Sequence, residues 1–342
     1  MAIYITGDCH GEFENIEFFC RHHPGKPDDC MILLGDVGLN YCLDKRDNER
    51  KERLAQNKIL FFCVHGNHEE RPYNLPTYRE KEWHGGMVYY EEEYPNLLFA
   101  KDGEIYDFDG KKVIVIGGAY SVDKAFRCMV GMPWFPEEQP SEKIKRYVEK
   151  QLENSDWRVD YVLSHTCPMR YIPRDRLVEV IDQNRVDRTT EEWMEQLAEK
   201  LQYTCWYFGH YHDNRSYATA ELLYDGIKEL GKDGYAQLVG RPRYRVGELV
   251  IFETGDGEET EYGDGRIEKV HPYGTEAQCR EVSYDISGIL WNHPEKKRLF
   301  CEVTETNVQS IHEPRALEEI VEGNSRFFNG KEVSDDGKGE GV

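Results

Sequence analysis

Five short polar clusters carry the side chains best suited to chemistry: Gly7-Asp8-Cys9-His10-Gly11, Gly35-Asp36, Gly66-Asn67-His68-Glu69, Ser164-His165 and Gly209-His210-Tyr211-His212. Together they offer two carboxylates (Asp8, Asp36), four imidazoles (His10, His165, His210, His212) and one amide oxygen (Asn67). Such a mixed nitrogen and oxygen donor set suits Mn, Fe, Zn or Ni better than the softer, thiolate-preferring ions. A cation held this way lowers the pKa of bound water towards about 7 and neutralises developing charge, so the chemistry on offer is metal-assisted hydrolysis.

The clusters need something to bring them together. Residues 31–34, 59–64, 113–116, 161–163 and 205–208 are short apolar runs rich in β-branched and aromatic residues. They lack clean alternation, so they read as strands buried on both faces and covered by helices. Four of them end just before Asp36, Asn67, His165 and His210, and residues 3–5 end just before Asp8. Polar groups at the carboxyl ends of adjacent strands converge on one crevice, the usual ligand position in open α/β sheets.

The order DxH, GD, GNHE, H, GHxH resembles the calcineurin-like metallophosphoesterase superfamily over roughly residues 1 to 225. The resemblance implies a four-layered α/β/β/α sandwich with two divalent metal ions at the strand ends, manganese being the favoured pair. It also implies that Asp8, His10 and His212 bind one metal, that Asn67, His165 and His210 bind the other, and that Asp36 bridges them.

Phosphate esters hydrolyse extremely slowly unaided, so a catalyst must supply a nucleophile and offset charge. Two cations about 3.5–4 Å apart can clamp the attacking and leaving oxygens of an in-line displacement. His68 follows the ligand Asn67 and should stand at the rim, where an imidazole can protonate the leaving alkoxide. His65 should pack beneath the site, and His22, His23, His84, His271, His293 and His312 match no motif. Cys9 lies within the DxH cluster, but its side chain should point away from its neighbours and pack.

One departure matters. Ser/Thr phosphatases of this superfamily carry GDxxDRG, and the position of their phosphate-gripping arginine is Asn40 here. A replacement cation could come from Lys124 or Arg127, in a segment after the strand at 113–116, although a solvated loop is the plainer reading of that segment.

The 342-residue chain can bury a large core and suggests about two domains. No apolar run approaches about 18 residues, so no membrane span is expected. No basic stretch with a following apolar run opens the chain, so no cleaved leader is expected either. Ten scattered cysteines, none in a CxxC pair, fit reduced thiols and a cytoplasmic setting. A net charge of −22 disfavours long nucleic acids and anionic membranes. Nucleic acid is therefore not the favoured partner; the oligomeric state is left open.

Between the motifs, Ser141 should cap a helix and Thr189-x-x-Glu192 matches a capping box. Residues 44–56 read as a solvated helix or loop, and the aromatics around residues 83–94 and 134–136 as pocket walls or core. After about residue 240 short runs alternate with Gly/Asp-rich turns, the pattern of an antiparallel module resembling a small SH3-like barrel. The expected organisation is a catalytic domain over 1–240, a small β-barrel over 241–322 and a disordered tail over 323–342. The expected function is dimetal-dependent hydrolysis of small phosphoesters, nucleotides or phosphoproteins, as phosphatase or phosphodiesterase. A structure-selective DNA or RNA nuclease is the alternative.

Overall fold

Alternation within short strands determines the layers of this protein. In the computed structural model, which describes all residues except 24, 179, 241, 256–259, 275–281 and 311–342, the chain divides into two compact units, Met1–Leu238 and Val239–Val342. The expected tail at 323–342 lies outside the described residues.

The first unit contains β1 (Ile3–Thr6), β2 (Cys30–Leu33), β3 (Leu60–Cys63), β4 (Arg79–Trp83), β5 (Gly86–Tyr90), β6 (Leu97–Ala100), β7 (Ile105–Phe108), β8 (Lys111–Ile116), β9 (Tyr161–Ser164), β10 (Cys205–Phe208), β11 (Arg215–Ser216), β12 (Ala220–Leu222) and β13 (Lys228–Glu229). They form two sheets, in the orders β13-β1-β2-β3-β6-β5-β4 and β11-β12-β10-β9-β8-β7. Strands β1, β2, β3 and β6 run parallel, as do β8, β9, β10 and β12. Antiparallel strands close the edges.

Successive side chains on these strands point to different layers. Ile32, Leu34, Phe62 and Val64 from the first sheet meet Val113, Val115, Leu163 and Tyr207 from the second in one inner core. Their neighbours Met31, Leu33, Phe61 and Cys63 face outward onto Ile16, Phe19 and Leu54, from helices α1 (Glu14–His22) and α2 (Lys45–Ala55). With α3 (Lys124–Val130) lying in the segment after β8, the other outer layer is made by α4 (Glu142–Asn154) and α5 (Thr189–Lys200). Val148, Leu152, Trp193 and Leu197 from these two helices cover Ile114, Val162, Trp206 and Phe208. The result is the α/β/β/α sandwich. Burying a side chain such as Phe62 contributes about 1.5–3 kcal/mol, so these layers fix the strand ends firmly.

Local signals were met unevenly. The Ser141 hydroxyl accepts from Ile144 N and caps α4. The capping box at Thr189 does not form: Thr189 is already helical, and Asp187 Oδ1 takes its N–H and hydroxyl instead. An aspartate two residues earlier outcompeted the threonine as acceptor. Residues 45–55 are helical, with Asp44 as the cap, and the helix is anchored by buried Leu54 and by a buried Lys51–Glu91 pair at 2.6 Å. Trp83 lies 5.1 Å from Phe62 and packs on the inner core, and Phe135 is buried, so these two aromatics belong to packing.

The second unit is an antiparallel sheet of five strands, ordered His293–Thr304, Ser283–Leu290, Glu261–His271, Leu249–Thr254, Val308–Ser310. Tyr244, Phe252, Ile286 and Phe300 form its core. It fits the appended antiparallel β module; among the described residues its strand order is linear.

Candidate metal centre

Five strands deliver their following residues to one place. Asp8 and His10 follow β1, Asp36 follows β2, Asn67 follows β3, His165 follows β9, and His210 and His212 follow β10. Four of these seven have left-handed backbones: His10 (φ 50°), Asp36 (φ 46°), His210 (φ 69°) and His212 (φ 48°). Such conformations cost non-glycine residues about 1–3 kcal/mol each and persist only where surrounding contacts impose them. Here Asp36 O accepts from both Cys9 N and His10 N, at 3.2 and 2.7 Å, locking the first two clusters together. Two glycines are required by close approach. A Cβ on Gly66 would lie 2.0 Å from Asp36 Oδ1, and one on Gly209 would lie 2.2 Å from Asp8 Oδ1.

The donor atoms fall into two groups. His10 Nε2 lies 3.0 Å from His212 Nε2, and Asp8 Oδ2 lies 3.3 Å from His212 Nε2. His165 Nε2 lies 2.8 Å from Asn67 Oδ1 and 3.5 Å from Asp36 Oδ2. Asp8, His10 and His212 form one set compatible with a metal ion; Asp8, Asp36 and His165 form a second. His210 stacks edge-on to His165 at 5.0 Å, and its N–H donates to Asp8 Oδ1 at 2.8 Å. All seven sequence-expected donors are therefore in one locality.

Backbone contacts orient the rings and carboxylates. His165 Nδ1 faces the Leu34 carbonyl at 2.7 Å, so Nδ1 carries the proton and Nε2 turns to the donor oxygens. Asp36 Oδ1 accepts from His68 N, leaving Oδ2 towards His165. Asp8 Oδ2 is buried with no hydrogen-bond partner. A buried carboxylate oxygen whose nearest partners are two imidazole nitrogens, at 3.3 and 4.0 Å, suits a cation. The residues present fit a pair of divalent ions.

Charge follows the same logic. Burial would raise the Asp36 carboxyl, but the adjoining His165 overrides it and holds the group well below the usual carboxylate range. Burial alone would lower His165; Asp36 and Asp8 instead push it up to about 9. Burial, aided by the charge on His165, lowers His210 to about 3. The carboxylates are thus ionised and His210 neutral, whereas His165 holds a proton that a bound cation would displace.

Other expected residues have quieter places. Cys9 packs against the outer core of the first sheet. His65 is buried beneath the site. His23 stacks on Phe19, His84 contacts Asp107 O, and His271 pairs with Asp285 at 2.9 Å. His312 lies outside the described residues. Lys124 sits 3.8 Å over the Trp134 ring, whereas Arg127 reaches His68.

Three supporting residues were given no role in the site by the sequence reading. Ser121 Oγ accepts from Asn67 Nδ2 at 2.8 Å and bonds in turn to the Glu138 carboxyl, which turns Asn67 Oδ1 towards His165. Tyr224 stacks on His212 at 4.7 Å. Glu69 is fully buried, and burial next to Asp36 pushes it up to about 8, while Gly66 N donates to it. Only Glu69 carried a signal, as the last residue of GNHE.

The model for calcineurin-like phosphoesterases matches residues 1–214. The chain belongs to this family. Membership makes it a phosphoesterase-type hydrolase whose fold works with two metal ions. No curated protein matches the chain. Among solved structures, a phosphopantetheinyl hydrolase from Mycobacterium tuberculosis aligns at 14% identity, covering 65% of this chain and 88% of its own, with a TM-score of 0.38. TT1561 of Thermus thermophilus aligns at 14% identity over the same shares, with a TM-score of 0.37. AQ665 from Aquifex aeolicus aligns at 16% identity over 48% of this chain and 80% of its own, with a TM-score of 0.25. The family assignment rests on the match over residues 1–214. As for membranes, among the described residues of this phosphoesterase no helix is long and apolar enough to cross one.

Proposed function

We propose that the protein hydrolyses small phosphoesters, nucleotides or phosphoproteins, as a phosphatase or phosphodiesterase. In this reading one divalent ion is held by Asp8, His10 and His212, the other by Asn67, His165 and His210, with Asp36 between them. Manganese is the first choice, with iron, zinc or nickel also compatible with the donors. Bound there, the ions would supply an activated water and neutralise phosphoryl charge.

The chain's own residues do the rest. Asp36 orients through His68 N, and Asp8 through His210 N. Ser121 fixes the Asn67 amide. His68 is the proton donor to the leaving oxygen: its ring is half-buried and lies 5.9 Å from the His10 ring. Burial, with Arg127 alongside, lowers its pKa, so the ring rests neutral and acts as donor only after taking up a proton from solvent.

The observation carrying this reading is the convergence of seven donors from five strand ends, with Asp8 Oδ2 buried beside two imidazoles. A reduced, cytoplasmic setting agrees with the nine cysteines of the described residues, all of them free. No observation favours the nuclease alternative. The test is hydrolysis of para-nitrophenyl phosphate and its bis-ester after chelation and manganese add-back. Activity restored by metal supports the reading, and inactivity on both esters with manganese bound contradicts it.

A further inference from the structure

Asn40, at the position of the phosphate-gripping arginine in GDxxDRG, cannot replace it. It is buried, and its Oδ1 accepts from the Tyr78 hydroxyl at 3.0 Å. The next residue, Tyr41, takes a different part: its hydroxyl accepts from Arg127 Nη1 at 3.1 Å. Arg127 sits on α3, and its Nε donates to Asp123 Oδ2 at 2.7 Å, while Nη1 also reaches Pro133 O at 3.5 Å. Its Nη2 donates to His68 Nε2 at 3.2 Å. The side chain is only 11% exposed. Three contacts thus hold Nε and Nη1, and the fourth, from Nη2, is to the histidine that borders the metal donors.

We propose that Arg127 is the phosphate-binding residue of this site and that it selects phosphomonoesters over diesters; this rests on the hydrolase reading above. An arginine fixed by a carboxylate and a phenol is a preset fork, suited to charged phosphoryl oxygens. A monoester phosphoryl carries three non-bridging oxygens and nearly two charges at neutral pH. Bound cations would neutralise part of this charge, and a fixed guanidinium can pair with the charge that remains. A diester presents an ester-linked carbon chain in place of one charged oxygen, which leaves Nη2 without an acceptor.

The experiment compares kcat/KM for para-nitrophenyl phosphate and its bis-ester in manganese-loaded wild type, R127K and R127A. It adds calorimetric binding of inorganic phosphate, metal content and thermal unfolding for each. The expected result is a wild type that prefers the monoester. R127A should lose about 10²–10³-fold on the monoester, the scale of a lost transition-state donor, and under about tenfold on the bis-ester. R127K should fall between, and phosphate affinity should drop in parallel at unchanged metal content. Equal losses on both esters, no loss, or unchanged phosphate affinity in R127A would overturn the proposal. A wild type that binds manganese and phosphate but hydrolyses neither ester would sink the hydrolase reading instead, and phosphate affinity in R127A would then decide the clamp alone.

Discussion

His10 Nε2 and His212 Nε2 stand 3.0 Å apart although they come from opposite ends of the catalytic unit, and Asp8 Oδ2 faces both, at 4.0 and 3.3 Å. Three donor atoms pointing at one spot repel one another unless a cation or a proton lies between them. Metal binding should therefore stabilise the fold. Adding manganese to chelated protein at about 100 times its Kd should add about 2.7 kcal/mol, read as a rise in Tm. H212A should lose much of that rise, and an unchanged Tm in the wild type would speak against this site.

His68, the proposed proton donor, holds Asp36 through its backbone N–H alone, so its ring can be removed without touching that bond. H68A should lower kcat by about 10²–10⁴-fold while elemental analysis finds the same metal content. Full turnover in H68A would remove the residue from that role.

Ser121 sets the direction of the Asn67 amide. S121A frees the amide to rotate, so manganese affinity at the Asn67 side should weaken about 10–100-fold, the usual cost of losing a partner behind a ligand. A manganese titration of both proteins reads this directly. Identical isotherms would mean that His165 alone orients Asn67.

Asp29 ties the start of β1 to the approach of β2: Oδ1 accepts from Ala2 N at 2.7 Å and Oδ2 from Lys26 N at 2.9 Å. Burial opposes ionisation, but these two N–H bonds prevail and hold its pKa below the usual value. A carboxyl with a depressed folded pKa contributes stability above its unfolded value, and the contribution disappears as pH falls through the folded one. D29N should therefore cost about 1–2 kcal/mol at pH about 7 and almost nothing near pH 2, because it loses a charge-assisted hydrogen bond. Unfolding at both pH values checks the sign; a constant gap would point to packing.

Much of the site was legible because strand ends position residues regardless of sequence separation. Asp8 and His210 are about two hundred positions apart, yet His210 N donates to Asp8 Oδ1, a contact implied by two apolar runs each ending before a polar cluster. What stayed hidden depended on loops. Ser121 lies between β8 and α3 with no signal of its own; the sequence offers Arg127 as a replacement cation on a segment that reads as a solvated loop, and only its place on α3 shows that it meets His68. Thr189 misled for a related reason: a capping box and a helical first turn preceded by Asp187 look alike until the acceptors are placed.

The most direct test of the account is anomalous diffraction from manganese-soaked crystals. It predicts two peaks sharing Asp36, one bordered by Asp8, His10 and His212 and the other by Asn67, His165 and His210. No peak at these residues, or a single one that leaves Asp36 uncoordinated, would contradict it.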